Sequence, residues 1–174
     1  MAAVEEARRA AAIVRDAGGR VVGRTRFQKM AFILEAAGLG SGFPFKYKHY
    51  GPYSEELSNA SRTAAILGLL NETESPASWG GLFSTFEVDM PPDSTIPESR
   101  RRIAHETASA DAVALELAAT ALFLFLARIA PSDAWSETGR RKPEKAANGR
   151  LDQARALYER IRQIQTPTPL PRLE

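Results

Sequence analysis

Apolar residues at Val4, Ala7, Ala11 and Val14 recur at the spacing of a single helical stripe and predict a helix over Val4–Ala17, ended by Gly18 and Gly19. Thr25 opens a second helix, with Gln28 three residues on in capping-box spacing; Phe27, Met30, Ala31 and Leu34 form its apolar face, and Gly38 stops it. From Phe43 to Tyr50 the pattern changes to alternation, with Phe43, Phe45 and Tyr47 on one parity and Lys46 and Lys48 on the other. That is a strand with one buried and one charged face. Gly51-Pro52 makes a turn. Ser54 caps a third helix, whose first turn holds Glu55 and Glu56 and whose inward stripe is Leu57, Ala60, Ala64 and Leu67.

Beyond Leu70, residues 71–81 are polar and turn-rich, Leu82–Val88 reads as a strand, and Met90–Pro97 is a proline-rich loop. Residues 107–129 predict one long, mostly apolar helix at the centre of the fold, ended by Pro131. Ser132 and Asp133 cap a short helix through Trp135, a basic loop follows, and the last helix runs over Leu151–Ile164. The expected architecture is a single α+β domain over residues 1–165, predominantly helical. It carries a small antiparallel sheet from 43–50 and 82–88, and its N-terminal half is winged-helix-like. The proline-rich tail at 166–174 is expected to be flexible.

With 174 residues, 44% hydrophobic and 25% charged, the chain has the make-up of one ordinary globular domain. It has no cysteine, which removes disulfides, thiolate chemistry and the usual structural zinc sites and fits a cytoplasmic protein. The N-terminal stretch is amphipathic and carries acids, unlike a secretory signal. The most apolar run, Ala112–Ala127, is shorter than a membrane span and contains Glu116, so a buried helix is expected and no membrane partner. The net charge of +2 hides an uneven distribution. Residues 1–30 and 140–150 are basic, whereas residues 71–98 carry six acids and no base, which gives opposed patches suited to steering a partner.

Candidate chemistry is sparse. His49 and His105 sit in no metal-ligand spacing, and neither a nucleophile triad, a phosphate-binding loop nor a paired-carboxylate motif is present. Gly38, Gly40 and Gly42 follow a helix rather than a strand, the wrong context for a dinucleotide fingerprint. No catalytic residue, metal or cofactor is therefore expected. Glu116 lies either on an exposed helix edge or in the core; if buried it needs a basic partner, for which Arg26 and Lys29 are the candidates. The segment Lys46-Tyr47-Lys48-His49-Tyr50 reads as a core strand, or as a platform that stacks bases and neutralises phosphate. The order of elements over Thr25–Val88 also admits a winged helix-turn-helix with 54–68 as recognition helix. That helix offers Arg62 as its one base against Glu55 and Glu56, a poor approach to phosphates.

Arg26-Phe27-Gln28-Lys29-Met30 followed by Phe32 resembles the "K-L-Q-K-L-x-Y" helix of the Panacea antitoxin-domain proteins, a neighbourhood that includes SocA-like and YwgA-like members. Tyr50-Gly51-Pro52-Tyr53-Ser54 is similar to the family's "Y-G-P-hydrophobic-S" turn, and Leu57 with Leu67-Gly68-Leu69-Leu70 to the helix after it. Lys142-Pro143 stands where the family carries a "K-P" element before its last helix. The resemblance covers residues 20–70 best, and Phe32 in place of tyrosine, with no alignable motif over 72–105, places it nearer the YwgA-like branch. It implies a non-enzymatic protein-binding module, antitoxin- or proteolytic-adaptor-like, whose partner is a toxin or a protease component. A homodimer is compatible with that reading, and the alternative is a winged-helix regulator that binds nucleic acid. Residues with functional groups to spare for a partner are Arg26, Lys29, Tyr50 and Tyr53, joined by Lys46, Lys48, His49 and Arg62 from the strand and the third helix.

Overall fold

The apolar run Ala112–Leu126 forms one helix, α5, buried over nearly its whole circumference, as a helix without a polar face must be. The remaining elements of the computed structural model, which describes residues 1–174, are arranged around it. In chain order they are α1 (Ala2–Asp16), β1 (Arg20–Val22), α2 (Arg24–Ala36), β2 (Lys46–Lys48), β3 (Gly51–Tyr53), α3 (Glu55–Ile66), β4 (Asn71–Pro76) and β5 (Leu82–Glu87). They continue with α4 (Glu98–Ser109), then α5, α6 (Ala134–Arg141), α7 (Pro143–Ala146) and α8 (Arg150–Arg162). α5 packs against α2, α6, α8 and β3, while α1 packs against α3 and α4, so one continuous core runs through a single, predominantly helical α+β domain.

Two antiparallel sheets replace the one expected. β5 is the middle strand of the order β1-β5-β4, with Val21 opposite Phe86 and Thr73 opposite Thr85. β2 and β3 form a separate hairpin, with Lys46 opposite Tyr53 and Lys48 opposite Gly51. The expected pairing of 43–50 with 82–88 is therefore wrong. The strand Lys46–Lys48 is only three residues long and folds back through His49-Tyr50, so Gly51-Pro52, expected to be the turn, instead begins the partner strand. β4 escaped detection because it is an edge strand whose polar side chains face water; Glu72 and Glu74 on it are held by Arg24 (2.7 and 3.2 Å). With β4 and β5 as wing and β1 on the inner edge of β5, the N-terminal half is winged-helix-like, the β2–β3 hairpin being inserted between α2 and α3.

The predicted long helix 107–129 is two. Asp111 breaks it, its carboxylate accepting from the Ala114 N–H (2.9 Å) as a true N-cap of α5. Ser54 caps α3 as expected, accepting from the Leu57 N–H at 3.1 Å. Thr25 does not cap α2, which starts after Gly23 without a side-chain cap. Gln28 instead bridges the backbone of Ser54, donating to its carbonyl (3.0 Å) and accepting from its N–H (2.8 Å). The tail is extended, as its prolines require, but it is docked: the Thr168 N–H donates to the Ala37 carbonyl (3.0 Å), and Leu170 is buried.

Gly51 is the position where the fold demands glycine. Its φ of +94° is left-handed, and a Cβ there would lie 2.4 Å from Thr120 Oγ1 on α5. Gly51→Ala is expected to cost about 2 kcal/mol and lower Tm by about 4–8 °C in a thermal melt. Gly68→Ala, also left-handed (+73°) but with open space around it, should cost less than half as much.

Candidate functional site

The three segments singled out in the sequence, 26–30, 50–54 and 142–143, meet at the β2–β3 hairpin. From α2, Lys29 reaches inward and its Nζ donates to the Pro52 carbonyl at 2.7 Å. From the start of the α7 segment, the Lys142 Nζ donates to the His49 carbonyl (3.1 Å) and to Glu116 Oε2 (3.1 Å). Lys145 donates to both oxygens of Glu116 (2.9 and 2.7 Å) and lies 4.6 Å above the Tyr50 ring. The hairpin is thus clamped by two lysines through its carbonyls, and one carboxylate on α5 ties both α7-segment lysines down.

Burial makes this cluster costly. Lys29 is 1% exposed, Glu116 4% and Lys142 7%. Three ammonium groups face a single carboxylate. Burial pulls the Lys29 amine down to about 7; attraction to Glu116 opposes that pull, and repulsion from Lys142 and Lys145 adds to it. Glu116 is therefore buried and paired, but its partners are Lys142 and Lys145, not Arg26 or a direct hydrogen bond from Lys29. Arg26 is half-buried and serves the backbone instead. It donates to the carbonyls of Val22 (2.9 Å), Thr107 (3.1 Å) and Ala110, gathering the loose end of α4, and burial lowers its pKa.

Two concavities open beside the cluster, separated by Arg24, Thr25 and Tyr50. The first, about 230 Å³, has an apolar floor of Phe27, Leu57 and Phe86 and walls that include Lys29, Tyr53, Ser58, Ser61, Arg62 and Glu72. Phe27 and Phe86 meet edge to face at 4.9 Å. Burial pushes the Glu72 carboxyl up, but hydrogen bonds from Ser84 (2.6 Å) and Arg24 outweigh that and hold it below the usual range, so it is ionised and neutralised by Arg24. The second concavity, about 560 Å³, lies between the wing and the start of α5. Tyr50, Trp79, Leu82, Phe83 and Val113 line it, with Glu116 and Lys145 at one side. Tyr50, Trp79 and Leu82 are 59%, 73% and 60% exposed, an unusual concentration of large apolar surface around one groove.

Of the residues expected to face a partner, Arg26 and Lys29 are turned inward. Lys46, Lys48, His49, Tyr50 and Arg62 are exposed and Tyr53 is half-buried, all around the hairpin and α3. Several are already engaged: Lys48 pairs with Glu55 and lies 5.1 Å over the Tyr53 ring, and Arg141 lies 5.1 Å over Tyr47. Phe45 and Tyr47 pack on Phe32 and Phe123 (5.4 and 5.8 Å), which is the core role the alternation suggested. Sequence reasoning missed Trp79, which sits in a turn-rich polar stretch, Leu82, which was read only as the start of a strand, and Lys145. A tryptophan in an otherwise polar hairpin tip was the available signal. No three His, Asp or Glu side chains gather into a metal-binding group, and no helix is long and apolar enough to cross a membrane. No protein-family model, curated protein or solved structure matches this chain.

Proposed function

We propose that the protein is a non-enzymatic, cytoplasmic protein-binding module that works as antitoxins and proteolytic adaptors do, by direct contact with a toxin or a protease component. The observation that carries this reading is the groove edged by Tyr50, Trp79 and Leu82. Exposed aromatic residues around a concavity, rimmed by Arg24, Glu74 and Lys145, have the make-up of an interface hot spot. The Panacea-like motifs support the same reading from another direction, because the segments that carry them converge on the hairpin that presents Tyr50.

The winged-helix-like order β1-β5-β4 favours a second reading, a regulator that binds DNA. The charges oppose it. The outward residues of α3 are Glu55, Glu56, Asn59, Arg62 and Ile66, and the wing presents Glu74 and Trp79. Two of the hairpin aromatics that would stack bases, Tyr47 and Tyr53, already carry Arg141 and Lys48 on their rings.

A pull-down from the native host, with and without nuclease, separates the two. A stoichiometric protein partner that survives nuclease, and whose affinity falls at least about thirtyfold (about 2 kcal/mol) in Trp79→Ala without loss of Tm, is the expected result. Co-purified nucleic acid, with binding that weakens steeply as salt rises, would replace this reading with the regulator.

A further inference from the structure

The smaller concavity has features the protein-binding surface does not use. Its floor of Phe27, Leu57 and Phe86 is apolar, yet two cations at its wall lack anionic partners of their own. Arg62 forms no ion pair; its guanidinium donates only to Ser58 Oγ, at 3.2 Å. The Lys29 ammonium has three donors, and the Pro52 carbonyl accepts from one of them. The one acid at the wall, Glu72, is neutralised by Arg24 and bonded to Ser84, so it adds little negative field. Thr25, in the uncapped first turn of α2, also lines the cavity, and the dipole of that helix end favours an anion there.

We propose that this cavity binds a small monoanionic organic carboxylate, its apolar body resting on Phe27, Leu57 and Phe86 and its carboxylate held between Lys29 and Arg62. The size fits: a cavity of about 230 Å³ has room for a benzoate-sized acid. The chemistry fits as well, because an apolar floor with few convergent donors suits a ring or branched chain ending in one charge. A phosphate dianion has no apolar body to leave on that floor. Burial keeps Lys29 easily neutralised, and a carboxylate beside it supplies the counter-charge that Glu116, shared with Lys142 and Lys145, provides only in part.

The test titrates the full chain with sodium benzoate, sodium isovalerate, benzamide and inorganic phosphate, followed by backbone amide NMR. The expected result is saturable one-to-one binding of a carboxylate, with shifts at Ser58, Ser61 and Arg62 and none along α8. Benzamide, which has the same shape without the charge, should bind at least about tenfold more weakly, and Arg62→Ala should weaken the carboxylate about tenfold at unchanged Tm. Lys29→Met should weaken the carboxylate by a similar factor, with folding checked by its amide spectrum. The proposal is overturned if neither carboxylate saturates by about 10 mM, where a ligand of Kd about 1 mM is nearly saturated. It is equally overturned if benzamide matches benzoate, or if phosphate shifts the same amides as strongly as the organic acids do.

Discussion

Replacing Glu116 by alanine is expected to destabilise the protein by about 3–5 kcal/mol at neutral pH, the largest effect of any single substitution in the cluster. The carboxylate is 4% exposed and accepts from Lys142 (3.1 Å) and Lys145 (2.7 Å), while Lys29 lies close enough to feel its field. Without it Lys142, itself 7% exposed, is a buried ammonium with only the His49 carbonyl for a partner. Removing a lysine is a different event. Lys142→Ala leaves Glu116 still paired with Lys145, and Lys145 is partly exposed and can hydrate when unpaired. Lys142→Ala and Lys145→Ala should therefore each cost less than half as much as Glu116→Ala, and Glu116→Ala combined with Lys142→Ala should cost less than the sum of its parts. Urea denaturation of the four variants checks this order. A loss below about 1 kcal/mol for Glu116→Ala would mean that the cluster's lysines reach water on their own.

The same cluster marks the limit of what the sequence made legible. A lone glutamate inside Ala112–Leu126 left two places open, an exposed helix edge or the core with a base beside it, and the folded chain takes the second. Which base answers depends on how the chain returns from α6 to α8, and Lys142 and Lys145 lie 26 and 29 residues away in a stretch that reads as an ordinary basic loop. Arg26 and Lys29, bases of the second helix, were the candidates. That helix does pack on α5, but Arg26 donates to the Val22, Thr107 and Ala110 carbonyls and Lys29 spends one donor on the Pro52 carbonyl, so neither bonds Glu116. Local chemistry was more readable: Ser54 caps α3, and Phe27 and Met30 fill the core, since each depends on neighbours a few residues away. The hairpin turn was misplaced by two residues, falling at His49-Tyr50 while Gly51 and Pro52 pair with Lys48 and Tyr47. Strand pairing was not readable, because three-residue strands carry no alternation and β4 hides its register under solvent-facing acids. The groove at Tyr50 and Trp79 was invisible for a related reason. The two aromatics are 29 positions apart in sequence and share a wall only because the β2–β3 hairpin is inserted beside the wing.

Between about pH 7 and pH 10 the protein is expected to become more stable by about 3–5 kcal/mol, against the usual decline of proteins in alkali, and Lys29 is the reason. Its amine ordinarily titrates at 10.5 and burial brings it to about 7 in the folded chain. Across that window the unfolded chain keeps the proton and the folded chain has lost it. The unfolded state therefore binds more protons, and stability rises with pH by up to about 1.4 kcal/mol per unit. Below about pH 7 the amine is charged in both states and the slope vanishes. Above pH 10 the sign reverses through Tyr158, whose buried hydroxyl donates to the Pro171 carbonyl and is held well above its ordinary value; the unfolded chain ionises first and stability falls. Urea midpoints measured from pH 6 to pH 11 should thus peak close to pH 10. In Lys29→Met the rise should disappear, leaving a pH-independent cost for the Pro52 carbonyl that has lost its donor. A slope that survives in Lys29→Met would overturn the assignment to Lys29. Glu116→Gln supplies the cross-check, because the carboxylate is the one attraction that holds the proton on Lys29. Without that attraction the rise should begin at lower pH, and the two lysines that remain would push it lower still.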